Sequence, residues 1–193
     1  EYQDNQYKFL RLIPGIFGAL LPIIVFLILL QLKIEPKTAF IGSMLIIFEN
    51  TLIVQSRFIL MDSILLFFGF TSILFFLRKN LLAAGIFAAL AASVKWTGLS
   101  FLGLMAIWQA VKFLKKPDLK FAFKNLVYLL LIPVVVYFSI FAVHLSLLSK
   151  PGPGSAFHSQ NFHEKNRFEK FTALNKKMFR ANQNMKTAPP YSS

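Results

Sequence analysis

The sequence predicts an all-α integral membrane protein: a polytopic bundle of about six transmembrane helices, followed by an external polar loop containing an amphipathic helix. Three observations predict it. The apolar fraction is 56%, with 23 Phe in 193 residues and a mean hydropathy of +0.60, against about 45–50% apolar in soluble domains. The excess is gathered in unbroken runs rather than spread at helical or strand period, as expected of segments surrounded by lipid. Most charged residues fall between the runs.

Leu12 to Leu32 is 21 residues without a charge, enough to cross a hydrocarbon core of ~30 Å. Pro14 falls in its first turn, where a missing N–H costs little. Pro22 is central and predicts a kink. A charged turn, Lys33 to Lys37, leads to a second run, Thr38 to Val54, with Glu49 and Asn50 near its end. Gln55-Ser56-Arg57 separates it from Phe58 to Leu77, which Asp62 interrupts and Arg78-Lys79-Asn80 closes. Leu81 to Leu114 reads as two short helices broken at Lys95-Trp96-Thr97-Gly98. A Lys at the centre of one long span would cost about 2.5–3.5 kcal/mol, and a break puts it at an interface. Lys112 to Lys124 is a basic, amphiphilic loop, and Leu126 to Leu145 is the last clear span.

Residues 1–145 are therefore the transmembrane region and 146–193 a polar external loop. The loop opens on a turn cluster, Pro151-Gly152-Pro153-Gly154. Glu164 to Lys186 follows as a basic helix with Phe168, Phe171, Leu174 and Met178 at three- and four-residue steps. Such a helix lies on a membrane surface or packs on the rest of the protein. The opening Glu1-Tyr2-Gln3-Asp4-Asn5, without Met, and the closing Tyr191-Ser192-Ser193 read as cuts through a longer chain.

The formal charge is +13. Many of the cations flank apolar runs, where they anchor helices at the interface, so no nucleic-acid partner is expected. With no Cys, disulfides and thiolate metal sites are excluded. The polar segments alternate between two sides. One side, with 33–37, 78–80 and 112–124, holds 9 Lys and Arg; the other holds 4 before the tail and 12 with it. The positive-inside rule counts short loops, so the first side is read as cytoplasmic.

Arg11, Glu49, Asn50, Gln55, Arg57, Asp62, Lys95 and His144 all fall at span ends on the other side. Ionisable groups at membrane depth tend to pair or to line a cavity. Three cations suit a phosphate head, Arg bidentately and Lys as a point charge. The plainer readings are that Arg11 and Lys95 snorkel to the interface, that Trp96 is a belt residue, and that His144 is solvated. P-loop, dinucleotide, HExxH and GxSxG motifs are missing. His158 and His163 have a weak metal spacing, and no metal or cofactor is expected.

Glu49-Asn50, Gln55-Ser56-Arg57 and Asp62-Ser63, in that order, resemble a signature of the protein O-mannosyltransferases. Three further stretches are similar to that family: Ser93-Val94-Lys95-Trp96-Thr97-Gly98, His144 with Gly152-Pro153-Gly154-Ser155-Ala156-Phe157, and Arg11 to Gly18. The resemblance implies a multi-span inverting transferase of the GT-C type. It would move mannose from a polyprenyl- or dolichyl-phosphate donor to Ser or Thr of a secreted or membrane protein. It implies donor-phosphate binding by Arg11, Arg57 and Lys95, with Asp62 holding Arg57. Glu49, Asn50, Gln55, Trp96 and His144 would support them. The family's catalytic acidic pair precedes the position of Arg11, and Glu1 and Asp4 do not match it, so the base is expected upstream of Glu1. Ser155 stands where the family has Asp, and Pro189 where it has His. With no separate domain after Gly154, the chain resembles the short prokaryotic members, implying a multi-pass plasma-membrane protein with its active side external. Two other readings compete: a related transferase for another lipid-linked sugar and acceptor, and a non-enzymatic scaffold or transporter. No internal repeat supports the last.

Overall fold

The structure is a computed structural model and describes residues 6–49, 61–147 and 166–183, with side chains in the first helix from Leu12 onward. The described residues are helical throughout apart from short turns. The elements are α1 (Gln6–Gln31), α2 (Pro36–Ile47), α3 (Asp62–Leu77), α4 (Leu81–Val94), a 3₁₀ turn (Trp96–Gly98), α5 (Leu99–Lys115), α6 (Leu119–Leu126), a π turn (Val127–Leu131), α7 (Ile132–Leu147) and α8 (Arg167–Gln183). Three stretches are long and apolar enough to span a membrane: Leu12–Gln31, Trp96–Lys115 and Leu119–Leu147. Instead of six full-length spans, the other apolar helices are short: α2, α3 and α4, of 12, 16 and 14 residues.

Several boundaries differ from expectation for local reasons. α1 begins ahead of Leu12 and runs as one helix through both Pro14 and Pro22. α2 ends at Ile47, so the run predicted to Val54 stops early, and 50–60 lie outside the described residues. Asp62 opens α3, where a carboxylate meets the positive end of the helix dipole. The basic segment 112–124 is mostly helix rather than loop. α5 continues to Lys115, and Asp118 caps α6 by accepting from the Lys120 amide at 2.9 Å.

The chain divides into two compact units, Glu1–Tyr137 and Phe138–Ser193. In the first, α3 packs antiparallel on α4 and also along α1. The buried face of α4 is almost entirely small: Ala84, Gly85, Ala88, Ala89, Ala91 and Ala92. Within a bilayer, helices gain nothing by hiding Leu from lipid, so association comes from close backbone packing, which small residues allow. Gly85 is the tightest point. A Cβ there would strike the backbone carbonyl of Tyr128, with the Pro133 ring beside it. Pro133 has no N–H, and its ring crowds the carbonyl four residues back, which opens the helix into the π turn just before it. The Ile132 amide then reaches Val127 rather than Tyr128, and the Tyr128 carbonyl lies over Gly85. In the second unit, Phe171 of α8 meets Phe138 and Phe141 of α7 edge-to-face, at 5.1 and 5.9 Å between centroids. The predicted amphipathic helix is thus seen packing, through Phe171, while Phe168 remains exposed.

The turns after α1 and α3 share one cap. Lys33 and Lys79 have φ of 63° and 62°. Their amides reach Leu30 and Phe76, and those of Ile34 and Asn80 reach Leu29 and Phe75. This is the Schellman arrangement, in which glycine is favoured at the left-handed position. A lysine there costs roughly 1–2 kcal/mol. Lys33→Gly and Lys79→Gly should each raise the unfolding midpoint in detergent, consistent with about 1 kcal/mol. Charge at these turns, which orients the spans, is a physical reason for keeping Lys despite the strain.

Candidate functional site

α3 begins and α4 ends at the same end of the first unit. Asp62 opens one and Lys95 follows the other. The two are 33 positions apart in sequence, and the Lys95 Nζ donates to the Asp62 carboxylate at 3.2 Å. Their side chains are 58% and 29% exposed. An accessible pair like this contributes about 0–1 kcal/mol to stability, so stability does not account for it.

Helix length sets the depth of this pair. At 1.5 Å per residue, α3 and α4 are about 24 and 21 Å long, short of a ~30 Å hydrocarbon core. For untilted helices with the Arg78-Lys79-Asn80 turn at one interface of a ~30 Å core, Asp62 and Lys95 would lie about 6–9 Å below the other. Charges at such depth require partners or a wet depression.

The turn carrying Lys95 and the adjoining start of α3 are both tied to other elements. The Trp96 Nε1 donates to the Tyr137 hydroxyl at 3.0 Å, and the neighbouring Ser63 hydroxyl donates to the Pro14 carbonyl at 3.1 Å, tying α3 to α1. Gly98 is buried, and a Cβ on it would press into the Ala91 carbonyl and the Ala92 amide. The close return of the chain onto α4 therefore requires glycine. Trp96→Phe and Tyr137→Phe, made singly and together, should show a coupling of about 0.5–1.5 kcal/mol in thermal unfolding. Additive effects would mean the bond contributes nothing.

Of the residues singled out in the sequence, the structure brings Asp62, Lys95 and Trp96 together. Asp62 was expected to hold Arg57, which lies outside the described residues; among the described residues its carboxylate accepts from Lys95. Asn50, Gln55 and Arg57 lie outside the described residues. Arg11 falls on α1, with its side chain outside the description. Glu49 is exposed just past the end of α2, its amide bonded to the Ile46 carbonyl. His144 belongs to the second unit, exposed, its ring edge-on to Phe141 at 6.4 Å. Among the described residues no group of acidic, His or Cys side chains could hold a metal. Tyr137 and Ser63 were missed, since a Tyr or Ser within an apolar helix carries no signal of its distant partner.

The family described as dolichyl-phosphate-mannose-protein mannosyltransferase matches residues 1–149. Dolichyl-phosphate-mannose--protein mannosyltransferase 1 of Candida albicans is 34% identical over 180 residues, covering 82% of this chain and 20% of the relative. Protein O-mannosyl-transferase 1 of Danio rerio is 32% identical, over 84% of this chain and 25% of its own. The solved Saccharomyces cerevisiae protein O-mannosyltransferase Pmt1-Pmt2 complex, bound to the sugar donor, is similar with a TM-score of 0.72. That match has 30% identity and covers 80% of this chain and 24% of the other. The chain thus spans about a fifth to a quarter of the length of these relatives.

Proposed function

Because the chain belongs to the dolichyl-phosphate-mannose-protein mannosyltransferase family, we propose that the protein it forms part of transfers mannose from a polyprenyl- or dolichyl-phosphate-mannose donor to Ser or Thr hydroxyls of secreted or membrane proteins. The fold is the helical membrane bundle of that family. The observation that carries the reading is the Asp62–Lys95 pair at the shared end of α3 and α4. An ammonium has three donors, and Asp62 takes one from Lys95, which leaves the others for phosphate oxygens. Asp62 is then a positioning residue for Lys95.

In the reaction, the acceptor hydroxyl oxygen bonds to the anomeric carbon of mannose as the bond from that carbon to the lipid phosphate breaks. The hydroxyl proton passes to a carboxylate base. Negative charge develops on the departing lipid phosphate. Lys95, with Arg11 and Arg57 joining it, neutralises that charge as it forms. The family resemblance adds Glu49, Asn50, Gln55, Trp96 and His144 as supporting residues. The lysine-poor short loops put this end on the external face. The relatives named above are fungal and animal, so a prokaryotic plasma membrane rests on the family resemblance in the sequence alone.

The test uses the full-length protein in membranes, with polyprenyl-phosphate-linked labelled mannose and a Ser/Thr-rich peptide. Label should appear on the peptide and be released by alkaline β-elimination, as an O-linked sugar is. Label only from a different lipid-linked sugar would overturn the choice of donor; none from any donor would overturn the transferase.

A further inference from the structure

A cavity of about 320 Å³ opens between α5 and α6 at the opposite, lysine-rich end of the first unit. Its walls are mostly apolar, with Phe113, Phe121, Leu126 and Leu129 among them, and Gln109 and Asn125 are the polar residues in the lining. Gln109 is 9% exposed. Its Oε1 and the Oδ1 of Asn125 are buried and accept no hydrogen bond from the described residues. The Asn125 amide nitrogen is already committed, donating to the Phe121 carbonyl at 2.8 Å. A buried acceptor without a donor costs about 1–3 kcal/mol, and two beside one cavity point to a ligand that donates. The space is about ten times the share of one water, so a single bridging water does not fill it.

Charge narrows the class of ligand. Lys112, Lys116, Lys120 and Lys124 are each within three residues of a lining side chain and all are exposed. Lys112 lies over the Trp108 ring at 5.7 Å. The nearby carboxylate, Asp118, is occupied in capping α6. A fitting occupant therefore has an apolar body, an anionic group and hydroxyl donors. We propose that this cavity binds an anionic phospholipid with a hydroxylated head group, taken from the leaflet at the basic end. The acyl chain follows the Phe and Leu walls, Gln109 and Asn125 turn their buried amide oxygens to accept from the head-group hydroxyls, and the lysines hold the phosphodiester. The site lies at the other end of α5 from Lys95, and its occupancy is independent of the transfer reaction proposed above.

Native mass spectrometry of the full-length protein tests it, using mixed micelles of phosphatidylglycerol, phosphatidylmethanol and phosphatidylcholine. Phosphatidylmethanol carries the charge without the hydroxyls. Phosphatidylglycerol should be retained about tenfold over phosphatidylmethanol, and phosphatidylmethanol severalfold over phosphatidylcholine. Gln109→Leu should bring phosphatidylglycerol down to the phosphatidylmethanol level. Lys116→Gln/Lys120→Gln/Lys124→Gln, all at exposed positions, should bring phosphatidylmethanol down to the phosphatidylcholine level even if Gln109→Leu does not fold. Equal retention of all three lipids by the parent protein would overturn the proposal, as would a preference for phosphatidylmethanol over phosphatidylcholine that survives the lysine substitutions.

Discussion

Replacing Lys95 with Ala should lower kcat/KM for mannosyl transfer by about 10²–10³-fold, the usual loss when one preorganised group facing developing charge is removed. The effect should fall mainly on kcat, because charge builds on the phosphate as the sugar leaves. Thermal stability should change by less than about 1 kcal/mol, since the ion pair is accessible. Lys95→Arg should restore part of the activity: it returns the charge with different geometry. Asp62→Asn should be milder and should act through Lys95, so Asp62→Asn/Lys95→Ala should be no slower than Lys95→Ala alone. Additive losses would show that Asp62 has a separate role. A Lys95→Ala protein that inserts normally and transfers at the parent rate would remove Lys95 from the site.

Gly98→Ala should be the most damaging change at a residue that touches no substrate. The added methyl has nowhere to go, since backbone rather than a flexible side chain occupies its space. Either the 3₁₀ turn or the end of α4 must move, and overpacking of this kind costs about 1–3 kcal/mol. The same shift displaces Lys95 and Trp96, and misplacement of about 1 Å can cost on the order of 10²-fold in rate. Both a lower unfolding midpoint and a rate loss of that size are expected. Gly103→Ala is the matched control. Nothing lies within 4 Å of its Cβ position, and it sits in the interior of α5, where Ala is favoured over Gly by about 0.5–1 kcal/mol. It should be neutral or slightly stabilising. If the two variants behave alike, close packing at Gly98 is not what holds the turn.

The helical membrane class was legible in the sequence because it follows from composition alone. Charge-free runs of about 20 residues leave few structures able to satisfy a backbone in lipid other than a helix. The break at Lys95-Trp96-Thr97-Gly98 was legible for a similar reason, since a charge at mid-span is costly wherever the rest of the chain goes. Lys95, Asp62 and Trp96 stood out because polar groups are rare in such runs.

Where helices begin within a run was not legible. Apolar residues on both sides of Asp62 give no boundary, and the helix dipole decides it only once a helix exists there. Partners were less legible still. Nothing in the sequence links Asp62 to Lys95, and only antiparallel packing of α3 on α4 brings the two together from 33 positions apart. Close backbone approach, of Tyr128 to Gly85 and of Ala91 to Gly98, gave these glycines their roles. In the sequence each is one small residue among many; in the fold each is a place where two backbones meet with no room for a methyl. Composition and hydropathy are local sums and so survive any arrangement of the chain, whereas ion pairs, hydrogen-bond partners and close crossings are distances between remote residues, which exist only after the helices have packed.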